Sequence, residues 1–209
     1  MARGSFQVKA KLQRPGDSGL PVNALVQLRG RAVDVSTKVD GGGGLIRIGR
    51  SVYVEDAGLT GDAKKPWAKL DLDSATADKL VEVADALVAD RLFHQVIGGA
   101  PYASSFLEQG QLVVDGIDTQ RYTMLIDLKK AVAAGALGEY LDKSDLKTLP
   151  KQLSVAVWVD ANALPRQLEF NLADTRTGNV FVTARFGQFG RRSTVLPPKP
   201  AKLGKPSLS

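Results

Sequence analysis

A chain of 209 residues with 44% hydrophobic and 24% charged residues can bury a sizeable core and has the composition of a globular protein. It contains no cysteine, which excludes disulfides, thiolate metal sites and cysteine nucleophiles. No stretch approaches the roughly 18–20 consecutive apolar residues of a transmembrane helix. Residues 1–6 lack the apolar region of a signal peptide, so the sequence predicts either a cytosolic protein or an exported protein without its leader.

The net charge of +6 is concentrated at the two ends of the chain. Residues 1–50 carry nine Lys/Arg and three Asp/Glu, residues 51–150 carry ten and sixteen, and residues 151–209 again carry nine and three. If the two ends form neighbouring strands, their basic side chains share an outer face that suits anionic lipid head groups or nucleic acid. A solvated basic surface that keeps the protein soluble explains the pattern equally well.

The first predicted strand covers residues 5–12, where apolar and polar side chains alternate with the period of a half-buried strand. Residues 45–48 and 52–55 then flank the turn pair Gly49-Arg50 and predict a hairpin. The segment 44–51 also comes close to a phosphate-binding loop. It lacks the lysine of that motif and no helix follows it, so a hairpin is the better interpretation.

A long helix is predicted from Ser74 to Ile97, because Ser74 can cap its start and Gly98-Gly99 ends the apolar pattern. Its apolar side chains recur at helical spacing and form one stripe: Leu80, Val83, Ala84, Leu87 and Val88. A second helix is predicted over residues 128–141, although its internal glycines weaken it.

The C-terminal half again predicts strands with short connections, over residues 117–126, 155–159, 168–172 and 180–186. The favoured hairpin dipeptide Asp115-Gly116 joins residues 112–114 to the first of these strands. This spacing is typical of an antiparallel meander rather than of β-α-β units. Residues 1–198 are predicted to form a single domain, and the proline- and lysine-rich residues 199–209 a flexible tail.

Residues suited to catalysis or metal binding are scarce. His94 is the only histidine, no Gly-x-Ser-x-Gly motif accompanies it, and Asp90 is its one obvious carboxylate partner at helical spacing. We therefore predict no catalytic residue, no metal site and no cofactor, and a hydrolase built on His94 stays a distant alternative. Trp67 and Trp158 are interpreted as packing residues. Nucleic-acid binding is not predicted, because few aromatic residues interleave with the basic ones on a strand face.

Seven short motifs follow one another along the chain. The first three are Arg47–Val54, Lys65–Lys69 and Val114–Tyr122. The other four are Val157–Asp160, Leu164–Arg166, Phe186–Gly190 and Val195–Pro198. In this order the first three resemble the core, and the other four the closing strands, of LolA-like actinobacterial lipoproteins, the LppX/LprG group. The resemblance extends in order over residues 5–198.

The resemblance implies an α+β fold in which a curved antiparallel sheet, an incomplete β-barrel, carries helices packed on its concave face. Family members are exported, lipid-anchored proteins of the cell membrane surface that bind or carry lipids. The lipidated cysteine and the signal peptide of the family are not in this sequence, which predicts a trimmed soluble part. The family has no motif that fixes a ligand, so the ligand itself does not carry over.

From this resemblance and the strand patterns we predict a monomer that binds a lipid or other apolar ligand between sheet and helices. The predicted lining comprises Phe6, Val8, Leu80, Leu87, Val88, Tyr122, Met124, Val157, Phe170 and Val182. A core filled by these same side chains is the simpler alternative. A cell-envelope sensor or protein-interaction module without bound lipid is the second functional hypothesis. The basic residues Lys9, Lys11 and Arg185 are predicted to lie on the outer face and to favour anionic membrane surfaces.

Overall fold

The computed structural model describes residues 4–29, 32–40, 43–49, 51–70, 96, 99–135, 150–174, 178–191 and 193–206. These residues form mainly β-structure, in twelve strands. In chain order the strands are β1 (Gly4–Gln13), β2 (Leu20–Arg29), β3 (Ala32–Val39), β4 (Gly44–Ile48), β5 (Ser51–Glu55), β6 (Trp67–Leu70), β7 (Ala103–Val114), β8 (Ile117–Asp127), β9 (Gln152–Asp160), β10 (Pro165–Asp174), β11 (Gly178–Arg191) and β12 (Leu203–Gly204).

The helices of the described residues are short. The α-helices are α1 (Ala57–Thr60) and α2 (Leu128–Ala133), and the 3-10 turns are Ala100–Tyr102 and Pro200–Lys202. The long helix predicted over residues 74–97 lies outside the described residues except for Val96. The second predicted helix, 128–141, is described only to residue 135, and its first six residues form α2.

Hydrogen bonds join the strands in the order β12-β6-β5-β4-β3-β2-β1-β11-β10-β9-β8-β7. Successive strands from β2 to β6 and from β7 to β11 pair antiparallel, whereas β12 pairs with β6 in parallel. The sheet is open, with β12 and β7 at its two ends. The predicted antiparallel meander is therefore confirmed. In the same sheet β1 lies beside β11.

Contacts divide the chain into two compact units, which we describe separately. Unit 1 comprises residues 1–7, 22–91 and 188–209, and unit 2 comprises residues 8–21 and 92–187. The predicted organisation, a single domain at 1–198 with a flexible tail at 199–209, stays a prediction. Within that tail, Leu203 pairs with Trp67 and Gly204 with Ala68.

Unit 1 buries one face of the strands β2 to β6. Alternation along each strand places the apolar side chains on that face, as a half-buried strand requires. Its members are Val22, Ala24, Val26, Val35, Val39, Leu45, Val52, Val54, Ala68 and Leu70, all buried. Arg47 lies in the same face, paired with Val35 and Val52, and is buried as well.

The hairpin between β4 and β5 is confirmed, and Asp34 holds its turn. Gly49 has a φ of 56° and donates its backbone N–H to Asp34 Oδ1 over 3.1 Å. The buried Asp34 also forms an ion pair with Arg29. The hydrogen bond and the charge of Asp34 raise the pKa of Arg29. The turn at Gly49 is therefore occupied by a carboxylate. The described residues of segment 44–51 form a hairpin and do not have the form of a phosphate-binding loop.

In unit 2, the predicted hairpin between β7 and β8 is confirmed in detail. Val114 pairs with Ile117 across the two-residue turn Asp115-Gly116. The two turn residues have φ values of 49° and 78°. Positive φ at both positions is the requirement of the two-residue turn that matches the twist of the flanking strands, and Asp-Gly satisfies it well.

The connection between β9 and β10 depends on the carboxylate of Asp160. Asp160 Oδ1 accepts backbone N–H groups from Asn162 (2.9 Å) and Leu164 (3.0 Å), and Oδ2 accepts both Nε (2.7 Å) and Nη2 (2.5 Å) of Arg166. The hydrogen bond from Leu164, followed by those from Arg166 and Asn162, lowers the pKa of Asp160. The ionised form is therefore favoured in the folded protein.

Replacing Asp160 with asparagine should reduce thermal stability near neutral pH, where the native carboxylate is ionised. A carboxyl group whose pKa is lower in the folded than in the unfolded chain stabilises the fold at pH values above its unfolded-state pKa of about 3.9. That stabilisation is lost as the pH falls through the folded-state pKa. The difference in Tm between native protein and Asp160→Asn should therefore shrink in acid. The exposed Asp118→Asn serves as control and should change Tm little at any pH. A constant difference from neutral to strongly acidic pH would contradict the role of the charge.

Candidate functional site

Half of the predicted lining residues share one face of unit 2. Met124 pairs with Val155, and Val155 pairs in turn with Phe170. Phe170 then pairs with Val182, which completes one row across four strands. A neighbouring row runs from Tyr122 through Val157, Leu168 and Ala184. Paired residues of antiparallel strands point to the same side of the sheet, so these two rows define what we call the apolar face of unit 2.

The protein itself covers most of this face. Met124 is 5% exposed, Val157 7%, Phe170 5% and Val182 1%, while Tyr122 is half-buried. Ile126 and Leu153 are paired in the next row of the face and are also buried. A ligand can therefore reach these side chains only by displacing the part of the protein that covers them.

The other predicted lining residues lie elsewhere. Phe6 belongs to unit 1, where its ring stacks on that of Phe189 with centroids 5.5 Å apart. Val8 belongs to unit 2 as part of β1 and is buried. The helix residues Leu80, Leu87 and Val88 lie outside the described residues. A common lining by all ten residues therefore stays a prediction.

The apolar face continues onto the last strand of the sheet, where it is exposed. Phe106 of β7 pairs with the buried Met124, yet Phe106 is 62% exposed. The next residue, Leu107, pairs with Thr123, points to the opposite face and is also 62% exposed. The change from buried to exposed apolar surface thus takes place between two neighbouring strands.

The exposed residues of β7 were missed by sequence reasoning. Residues 103–111 lack strict alternation because Phe106 and Leu107 are adjacent, and the pairing with β8 is irregular between Glu108 and Gly110. Gly110 has a φ of 112°, which few side-chain-bearing residues adopt. The length of β8 was the available signal, because its eleven residues need a partner strand of similar length.

A cavity of about 550 Å³ lies at the C-terminal end of β8, and its lining is not the predicted one. Its lining comprises Asp127, Lys129, Lys130, Ala133, Lys151 and Gln152. Asp127 caps α2 by accepting the backbone N–H of Lys130 over 2.9 Å, and Leu128 N–H bonds to Lys151 O over 3.1 Å. Three lysines line this cavity, and it shares no residue with the predicted lining.

The remaining predictions concern catalysis, metal binding and membrane-spanning helices. His94, the basis of the alternative hydrolase hypothesis, lies outside the described residues. Within the described ranges, no group of three or more His, Cys, Asp or Glu side chains is arranged to hold a metal ion. None of the helices that the structure describes combines the length and the apolar character needed to cross a membrane.

Comparison with known proteins identifies a structure with the same fold. No protein-family model and no curated protein sequence matches the chain. The chain superposes on LprF from Mycobacterium bovis with a TM-score of 0.50 and 17% identity, over 94% of this chain and 90% of LprF. The chain has the fold of LprF.

Two further structures are similar at lower TM-scores. The lipoprotein LppX of Mycobacterium tuberculosis gives 0.46 with 16% identity, over 91% of this chain and 88% of LppX. A LolA superfamily protein from Nitrosomonas europaea gives 0.33 with 14% identity, over 93% and 87% of the two chains. The fold shared with LprF confirms the resemblance noted in the sequence as a structural similarity.

Proposed function

We propose that this protein binds an apolar ligand, the acyl chain of a lipid, against the apolar face of unit 2. The observation that carries the proposal is the step from buried Met124 to exposed Phe106 on one continuous face. An apolar row that is covered at one end and open at the other suits an elongated ligand that slides in from the edge. Burying each methylene contributes about 0.8 kcal/mol, so even a short stretch of chain gives firm binding.

The helices predicted over residues 74–97 and 128–141 are proposed to cover this face. The chain returns from the first of these segments close to the face, since a Cβ added at Gly99 would lie 2.8 Å from Ile126 Cγ2. Val96 is buried as well. Only a glycine permits so close an approach, so the backbone at Gly99 lies directly against the apolar face.

The fold of LprF and the sequence resemblance support a carrier outside the cytoplasm, at the membrane surface, rather than an enzyme. Lys9 and Lys11 are exposed on unit 2 and are proposed to favour an anionic membrane, at about 1 kcal/mol each or less. Arg185 is exposed as well, but its charge is already paired with that of Asp115. The protein is proposed to act as a monomer without a cofactor.

A fluorescent long-chain fatty acid tests this function directly. We expect saturable binding at one equivalent, and slower hydrogen exchange in residues 74–97 once the probe is bound, because the cover closes over the chain. A short-chain acid of the same charge is the control and should not bind. Non-saturable partitioning, or saturable binding with unchanged exchange throughout 74–97, would contradict a covered acyl site.

A protein-interaction module is the second candidate, and β7 favours it. This strand stands last in the sheet order and exposes Leu107 and Leu112 on the face opposite to Phe106. Open edge strands with apolar side chains are suited to pairing with another chain. Such a partner would use both faces of β7, whereas an acyl chain on the apolar face would use one.

A further inference from the structure

A second feature of unit 2 lies on the face opposite to the apolar one. Arg121 pairs with Trp158, and Trp158 pairs with Gln167. Gln167 pairs in turn with Arg185, and Thr119 with Asp160 in the adjacent row. We call this set the polar face of unit 2. Four of its members are buried although they carry polar groups, namely Thr119, Trp158, Asp160 and Gln167.

Most polar groups of this face are satisfied internally. Thr119 Oγ1 donates to Leu112 O over 2.6 Å, and Gln167 Nε2 donates to Glu169 Oε1 over 2.8 Å. Asp160 is neutralised by Arg166, as described above. Arg185 forms an ion pair with Asp115 over 2.7 Å. The carboxylates near this face therefore have partners of their own.

Two N–H donors stand apart from this network. Trp158 is 4% exposed, and its Nε1 is buried without a hydrogen-bond partner among the described residues. Arg121 Nε is also buried and has no hydrogen-bond partner among the described residues. The guanidinium carbon of Arg121 lies 5.0 Å from the centre of the Trp158 ring. A buried N–H without an acceptor is unfavourable, so each such group calls for an explanation.

We propose that Arg121 and Trp158 form a binding site for one oxyanion, a carboxylate or phosphate group. Both side chains leave the sheet on the same side from directly paired positions, and both unsatisfied groups are donors only. Their ligand must therefore supply acceptor oxygens. The guanidinium adds a positive charge that forms no ion pair with a described carboxylate, which favours an anion over a neutral acceptor.

This site is independent of the proposed lipid function, because it uses the opposite face of the same strands. The oxyanion can come from a lipid head group or from a small ion in solution, and the chemistry recognised is the same. Its neighbour Arg185 offers a matched comparison, since it lies in the same row but is exposed and already paired.

The indole N–H of Trp158 reports on this site directly. The sequence holds two tryptophans, so Trp67→Phe leaves Trp158 as the only indole. In that background, the Nε1–H NMR signal should move downfield and saturate as sodium phosphate or sodium acetate is added. Sodium chloride at equal ionic strength should leave it in place. Arg121→Leu should weaken the apparent affinity at least tenfold, and Arg185→Leu should leave it unchanged.

A second titration, with vesicles, distinguishes a lipid head group from a small ion as the source of the oxyanion. A response to phosphatidylglycerol vesicles, but to neither phosphate nor acetate, assigns the site to a lipid phosphate. A response to the small anions assigns it to those ions, and both outcomes support the proposal. An equal shift with chloride, no shift with any anion, or equal affinity in Arg121→Leu and Arg185→Leu would overturn it. The titration with Arg121 intact decides the matter even if Arg121→Leu does not fold.

Discussion

Replacing Phe170 with alanine is expected to lower the free energy of unfolding by about 3–5 kcal/mol. Phe170 is 5% exposed and lies between Val155 and Val182 in the central row of the apolar face. Removing its ring leaves a cavity among side chains that are held in place by paired strands. Chemical denaturation at equilibrium measures the loss, and an unchanged m value would show that both proteins unfold alike.

Phe181 provides the matched control for this substitution. It lies on β11 next to Val182, pairs with Asn171, and therefore points to the opposite face, where it is 41% exposed. Phe181→Ala should cost about 0.5 kcal/mol, as is usual for an exposed position. Equal losses for the two variants would show that the apolar face is only loosely covered.

Replacing Phe106 with serine is expected to weaken binding of an acyl chain by about 10- to 100-fold. Burying a whole phenylalanine side chain contributes about 1.5–3 kcal/mol, and each 1.4 kcal/mol corresponds to a factor of ten in affinity. Phe106 is 62% exposed, so most of that area is available to a ligand. For the same reason the variant should keep the thermal stability of the native protein.

Leu107→Ser is the control, because Leu107 is equally exposed but points to the other face of β7. We expect it to bind the fluorescent fatty acid with native affinity. Titration of both variants with the same probe makes the comparison. Equal loss in both would indicate a ligand or partner that surrounds the edge strand, and would contradict binding on the apolar face alone.

The sheet was largely predictable from the sequence, because its strands show their burial as alternation. The pattern of residues 5–12, 155–159 and 180–186 requires only that one side of each strand be buried, and β1, β9 and β11 follow it. β2 and β3 lie outside the predicted elements, although Val22, Ala24 and Val26 alternate in the same way. The first nine residues of β7 could not be found by this signal, since both of their faces are exposed.

The candidate site was predictable only in part. Alternation places Met124, Val157 and Phe170 on the inner face of their own strands, but the register that aligns them into rows depends on turns and bulges along the whole meander. Trp158 occupies a position of β9 at which the alternation predicts an exposed polar side chain, and it is nevertheless buried. A pattern of single strands contains no information about what covers the second face of a sheet, so this burial becomes visible only in three dimensions.

Native mass spectrometry of the protein, purified gently from cells with intact membranes, tests the proposed function most directly. The account predicts a folded species whose mass exceeds that of the chain by one lipid, and organic extraction should release that lipid intact. Phe106→Ser should carry less of it than Leu107→Ser. A folded protein of the bare chain mass, bound instead to a stoichiometric protein partner, would contradict the lipid-binding function and establish β7 as an interaction edge.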